Sequence, residues 1–177
     1  MTIDSTAPTA NLTAVTDDVG NITGALTSGD YTDDTALVLS GTNESGSVVI
    51  VYDGTTELGY ATVSGTSWSY TATVVNGTTY QFNVKETDLV GNTSDATSNF
   101  TVTGDTTTPS VTLNAGNLNA SDSAVVQSTE NGTVYLIRES VDVSNLASIT
   151  GAADNLWNSV TIGAPSSTTL LPVTGLI

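Results

Sequence analysis

Three observations predict that this 177-residue chain is all-β and built as tandem sandwich modules. Thr, Ser, Gly, Asn and Val dominate it, a set that favours strands and turns and disfavours helix interiors. Charged residues are only 11% of the chain, so it lacks the mixed Lys/Glu surface that helical proteins carry. Finally, Asp4-Ser5-Thr6-Ala7-Pro8-Thr9 recurs as Asp105-Thr106-Thr107-Thr108-Pro109-Ser110, and Leu12 as Leu113, all at an offset of 101. A period near 100 with a Pro-bearing junction reads as modules joined by short, stiff linkers.

In the first module, residues 1–104, seven β-rich runs are separated by Gly, Asn, Asp and Ser turns. They are Leu12 with Ala14 and Val15; Ala36 to Leu39; Val48 to Tyr52; Tyr60 to Val63; Trp68 to Val74; Tyr80 to Val84; and Phe100 with Val102. Seven short strands in about 100 residues predict an immunoglobulin-like β-sandwich. With no Cys to bridge the sheets, Trp68, Tyr70, Tyr80 and Phe82 are expected to pack the interior. Asp53-Gly54 reads as a hairpin turn.

Residues 105–109 form the linker, and residues 110–177 a partial second module. Glu44-Ser45-Gly46-Ser47-Val48 matches Glu130-Asn131-Gly132-Thr133-Val134 at offset 86, so the second module's first loop is 15 residues shorter. Strands are expected at Val111 to Leu113, Ala124 to Gln127, Thr133 to Ile137 and Trp157 to Ile162, with a short helix or a long loop over Ser144 to Asn155. Aligning Trp157 with Trp68, at offset 89, places the end of the chain where the first module has its Asn76-Gly77 turn. The second module would then lack its last two strands, through either a cut inside a domain or a natural insertion point. Met1 reads as the start of an internal fragment.

Eighteen acids against two cations, Lys85 and Arg138, give a net charge of −16. Such a chain repels phosphate, so nucleic-acid and anionic-lipid partners are not expected. No stretch approaches the roughly 20 apolar residues of a membrane span. With neither His nor Cys, disulfides, thiolate nucleophiles, Ser-His-Asp triads and ordinary zinc or haem sites are excluded. What remains is oxygen chemistry, which suits hard cations such as Ca2+, and thirteen of the acids are Asp.

Alternating strand direction sorts the first module's acids to its two ends. One end receives Asp4, Glu44, Asp88, Asn92 and Asp95; the other receives Asp17, Asp18, Asp30, Asp33, Asp34, Asp53 and Asp105. Like charges gathered in this way destabilise a fold unless a cation neutralises them. A calcium ion held by Asp105, Glu130 and the first-loop acids, Asp33 or Asp34 foremost, would clamp the junction. The competing reading is that Asp, Asn and Gly are turn residues in any case.

Asp4-x-Thr-x-Pro8 and Asp105-x-Thr-x-Pro109, Thr32-Asp33-Asp34-Thr35 leading into Leu37-Val38-Leu39-Ser40-Gly41, Tyr52-Asp53-Gly54, and Glu86-Thr87-Asp88-Leu89-Val90-Gly91-Asn92 together resemble the bacterial Ig-like repeats of giant surface adhesins of the RTX and biofilm-associated type. The resemblance covers residues 4–105 strongly and 105–177 in part. It implies a secreted, type I exported protein of many modules at the bacterial cell surface, serving cell adhesion and biofilm formation. In such a protein, linker calcium ions rigidify a rod that carries a ligand-binding tip. The family's calcium ligands carry over to Asp4 and Asp105, to Glu44 and Glu130, and to Asp88.

The leading expectation is therefore a monomeric, calcium-stiffened extender segment whose partners are neighbouring modules of the same chain, with the tip ligand outside this fragment. A carbohydrate- or ice-binding module is the alternative, with Trp68, Trp157, Tyr60 and Tyr52 as stacking faces and Thr71-Ala72-Thr73 and Thr101-Val102-Thr103 as Thr arrays. An enzyme is not expected. The only feasible chemistry is a carboxylate pair acting on a glycoside, and these acids fall in turns rather than in a cleft.

Overall fold

The computed structural model describes residues 3–20, 23–114, 116–119 and 121–176. The chain divides into two compact units, Met1–Thr107 and Thr108–Ile177.

Unit 1 is an Ig-like β-sandwich. Its strands are β1 (Asn11–Asp17), β2 (Gly24–Ala25), β3 (Asp30–Thr32), β4 (Ala36–Thr42), β5 (Val48–Asp53), β6 (Thr56–Tyr60), β7 (Thr62–Ser64), β8 (Ser67–Thr73), β9 (Thr79–Thr87) and β10 (Phe100–Gly104). One sheet runs β2-β1-β4-β8-β7, the other β3-β10-β9-β5-β6. All pairings are antiparallel except that of β3 with β10. The period-2 alternation of the sequence becomes the two faces of each sheet. Val15, Leu37, Leu39, Val49, Val51, Trp68, Ala72, Val74, Phe82, Val84 and Val102 point inward and form one core.

All seven expected runs are strands, and the departures from them are local. The run Tyr60 to Val63 is divided between the sheets: β6 pairs with β5 and β7 with β8, and Ala61 at the crossing donates its N–H to Val49 O at 2.9 Å. The short β2 and β3 lie in the long first loop, where no apolar alternation marks them. The aromatics pack as expected, and each polar tip that reaches the rim is bonded. Trp68 Nε1 donates to Asn11 O at 3.1 Å, and Tyr70 Oη to Leu58 O at 3.0 Å. Tyr80 Oη accepts from Val75 N–H at 3.1 Å, and its ring stacks on Phe82 with centroids 5.4 Å apart. Buried Trp68 therefore offers no stacking face to a ligand.

Unit 2 contains β11 (Val111–Asn114), β12 (Ser123–Ser128), β13 (Gly132–Ile137), α1 (Leu146–Thr150), β14 (Trp157–Ile162) and β15 (Thr169–Pro172). The helix takes the first of the two forms expected for 144–155, and Asn145 caps it by accepting Ser148 N–H at 2.9 Å. One sheet is β11-β12-β15, the other β13-β14. Val126, Ile162 and Leu171 are buried between them, with Val134, Leu136 and Val160 half-buried alongside.

The pairing of Trp157 with Trp68 is corrected. β12 takes β15 as its antiparallel neighbour just as β4 takes β8, whereas Trp157 lies on β14, which pairs with β13 as β6 pairs with β5. Backbone pairing, not aromatic identity, sets the correspondence. Trp157 is half-buried against Tyr135, with ring centroids 5.9 Å apart. Among the described residues unit 2 has no counterpart of β9 or β10.

Candidate metal centre

At the end of unit 1 reached by the N-terminal segment, a cleft of about 200 Å³ is lined by Asp4, Glu44, Ser45, Ser47, Asp88, Leu89 and Val90. Three of the expected ligands thus share one cleft. Asp88 closes the turn after β9: its Oδ1 accepts the N–H groups of Val90, Gly91 and Asn92 at 2.7–2.9 Å, and its Oδ2 accepts Asn92 Nδ2 at 2.7 Å. Asn92 Nδ2 also lies 3.4 Å from Asp4 O, which ties this turn to the segment before β1.

Desolvation pushes the Asp88 carboxyl up, but the side-chain hydrogen bond from Asn92 and the three backbone N–H groups outweigh it. The net shift is below the ordinary value of 3.8. An NMR titration that follows the Asp88 carboxyl carbon is accordingly expected to show a midpoint below 3.8. Because the folded value is lowered, the ionised group favours the native state above about pH 4, and that contribution fades as pH falls through the folded midpoint. A midpoint at or above 3.8 would mean that these hydrogen bonds do not persist in solution.

Beside this cleft lies a residue that the sequence motif contained without singling out. Glu86, on β9, is fully buried. Its Oε1 accepts Glu44 N–H at 2.5 Å and Ser47 Oγ at 2.6 Å, so one carboxylate oxygen is bonded to two residues of the cleft. Its Oε2 has no hydrogen-bond partner, and neither has Oδ1 of buried Asn43. Asn43 Nδ2 donates to Glu44 O at 2.7 Å and contacts Ser47 Oγ at 3.3 Å. The signal was present in the sequence: the inward alternation Tyr80, Phe82, Val84 continues to position 86, which puts an acid on the core face.

At the opposite end Asp17 and Asp34 are 3% and 2% exposed. Thr32 Oγ1 donates to Asp17 Oδ2 at 2.6 Å, Asp18 N–H lies 3.4 Å from Asp34 Oδ2, and Asp105 N–H donates to Thr32 O at 2.8 Å. Asp33 is exposed and lies against Gly20, where φ is +78° and a β-carbon would overlap the Asp33 carboxylate. In unit 2, Glu130 is half-buried, and its Oε1 is enclosed without a partner.

The turn reading and the ligand reading meet in the same residues. Asp4, Asp17, Asp34, Asp88 and Asp105 each spend Oδ1 on the backbone N–H two residues on, that of Thr6, Val19, Ala36, Val90 and Thr107. This is the physical content of the recurring Asp-x-Thr. A carboxylate has about four lone-pair positions, so Oδ2 of Asp4 and Asp105 keeps capacity for a cation, whereas Oδ2 of Asp17 and Asp88 already accepts Thr32 Oγ1 and Asn92 Nδ2. Among the described residues, however, no three acids converge closely enough to form a ready-made metal cage.

Two sheets closed over one apolar core, with acidic turns at both ends, define an Ig-like sandwich module, a fold that bacterial Ig-like families typically place on extracellular surface proteins. A family model described as bacterial Ig-like domain matches residues 9–106, more than half of the chain, and the chain belongs to that family. No curated protein matches it significantly. Among the described residues no helix is long and apolar enough to cross a membrane.

Proposed function

We propose that this chain is a structural extender segment of a secreted bacterial adhesin of the RTX or biofilm-associated kind, stiffened by calcium at its module ends. The observation that carries the reading is Glu86. A fully buried carboxylate with one unpaired oxygen costs several kcal/mol unless a partner is supplied. Its other oxygen is bonded to Glu44 and Ser47, which line a cleft together with Asp4 and Asp88. A hard cation is the partner that an all-oxygen donor set favours.

Asp4, Glu44, Glu86 and Asp88 would hold calcium at one end of unit 1, and Asp33, Asp34 and Asp105 at the other; within unit 2, Glu130 would offer a ligand of its own. Bound calcium supplies the positive charge that these clusters lack. The chain's own residues tie the ion's neighbourhood to the fold: Glu44 and Ser47 to β9 through Glu86, and the outgoing linker to Thr32 through Asp105 N–H. Stiffness gained in this way needs no oxidising step during type I export. The segment acts as a monomeric rod element supporting adhesion and biofilm formation, without catalytic activity of its own.

Extracellular calcium modules bind at about 10⁻⁴–10⁻³ M, so about 10 mM calcium would stabilise each site by roughly 1.4–2.7 kcal/mol. That corresponds to a melting temperature higher by roughly 5–20 °C than in chelator. Small-angle scattering is expected to show a narrower range of inter-unit angles with calcium. Identical melting and scattering curves in calcium and in chelator would overturn the reading.

A further inference from the structure

The sequence holds two Asn-Gly pairs, Asn76-Gly77 and Asn131-Gly132. Asn followed by Gly is chemically labile, because a glycine without a β-carbon leaves its own backbone nitrogen open to the preceding side-chain amide. The fold treats the two pairs in opposite ways. Asn76 lies in the turn between β8 and β9, and the outgoing linker is tied onto it: Thr106 N–H donates to Asn76 Oδ1 at 2.8 Å, and Asn76 Nδ2 donates to Thr107 Oγ1 at 3.1 Å. Gly77 N–H, the group that would attack, donates to Gly104 O at 2.7 Å. Asn131 lies in the turn between β12 and β13, is exposed, and has no side-chain hydrogen bond among the described residues. Around Gly132 the space is open, since a β-carbon there would meet nothing within 4 Å. A complete module leaves this position exposed as well: Ser45, its counterpart in unit 1, is exposed with β9 and the turn after it in place.

We infer that Asn131-Gly132 is a site of spontaneous deamidation in the folded chain, and that Asn76-Gly77 is a second such site held closed by the outgoing linker, reacting only when Thr106 and Thr107 let go. In the reaction the Gly nitrogen attacks Asn Cγ while its proton passes to water. The N–Cγ bond forms, the Cγ–Nδ2 bond breaks, and Nδ2 leaves as ammonia, giving a succinimide. Water then opens the ring at one of its two carbonyls, giving aspartate or isoaspartate. The balance is amide plus water to carboxylate plus ammonium, with nothing oxidised or reduced. At Asn76 the side-chain amide must swing over Gly77 N, which breaks the bonds to Thr106, Thr107 and Gly104 together. The Asn131 side chain has no such bond to give up. Conversion at position 131 sets a new negative charge beside Glu130, whose Oε1 is enclosed without a partner, and the isoaspartate route adds a main-chain carbon just before β13. Conversion at position 76 records release of the linker.

Both sites can be followed in the full chain, because trypsin cuts after Lys85 and Arg138 and so places Asn76 and Asn131 in different peptides. After warm incubation of the native chain at mildly alkaline pH, mass spectrometry is expected to find NH replaced by O at position 131. Conversion at position 76 is expected to be at least about tenfold slower, because hydrogen bonds of modest net strength must break together there. Thr107→Val, which replaces an exposed hydroxyl by a methyl, should speed conversion at position 76 several-fold and leave position 131 unchanged. In concentrated urea the two sites should convert at similar rates. No conversion at position 131, equal rates in the native chain, or no response to Thr107→Val would each overturn the inference. So would a difference between the sites that persists in urea, which would assign it to the neighbouring residues instead of to the fold.

Discussion

Phe82→Ala is expected to cost unit 1 about 3–5 kcal/mol, by loss of transfer free energy and the cavity left behind. Phe82 is fully buried in the middle of β9, stacked at 14° on Tyr80, and packed in the same core as strands of both sheets. Its neighbours are mainly Val and Leu held in a pleated sheet, so they have little freedom to collapse into the space. At roughly 4–8 °C per kcal/mol the unit 1 transition should fall by more than about 10 °C, while that of unit 2 stays in place. Calorimetry of the full chain reads both. A loss of less than about 1 kcal/mol would mean that the ring is not the centre of this core.

Gly41→Ala is expected to be nearly as damaging, although it adds only one methyl. Gly41 continues the inward row of Leu37 and Leu39 on β4 and faces Trp68 across the β4–β8 pair. A β-carbon there would overlap the backbone oxygen of Asn11 and lie 2.7 Å from Cε2 of Trp68. The indole has nowhere to go, because its Nε1 is itself bonded to Asn11 O. Either β1 separates from β4 or the indole leaves the core. Overpacking of this kind costs about 1–3 kcal/mol, and the involvement of rigid backbone places this site at the upper end. The expected signature is a red-shifted Trp emission together with a lower unit 1 melting temperature; unchanged emission and stability would contradict the packing described here.

Much of this was legible because strand periodicity is local. The runs around Leu37, Val49, Phe82 and Val102 each carry their own alternation, and each became a strand with that face inward. What periodicity could not give was sheet membership: Ala61 sits where one apparent run changes sheets, and the two tryptophans lie on strands that pair differently. Both are decided by long-range hydrogen bonds. The acids were legible by position, since turn residues fall at strand ends, and Asp4, Glu44 and Asp88 do share a cleft. Glu86 was passed over because an acid within an apolar strand reads as part of a loop motif. Only the buried environment reveals that one of its oxygens is unpaired. The double duty of Asp-x-Thr, one oxygen for the turn and one left over, likewise needed coordinates.

The most direct test of calcium at these module ends is a calorimetric titration of calcium into chelator-stripped chain, run beside Glu86→Gln. Saturable heat is predicted at about 10⁻⁴–10⁻³ M, with the Glu86→Gln chain losing or weakening one site while remaining folded by circular dichroism. Absence of binding heat in the native chain, or an identical isotherm for the two proteins, would contradict a calcium site built on Glu86.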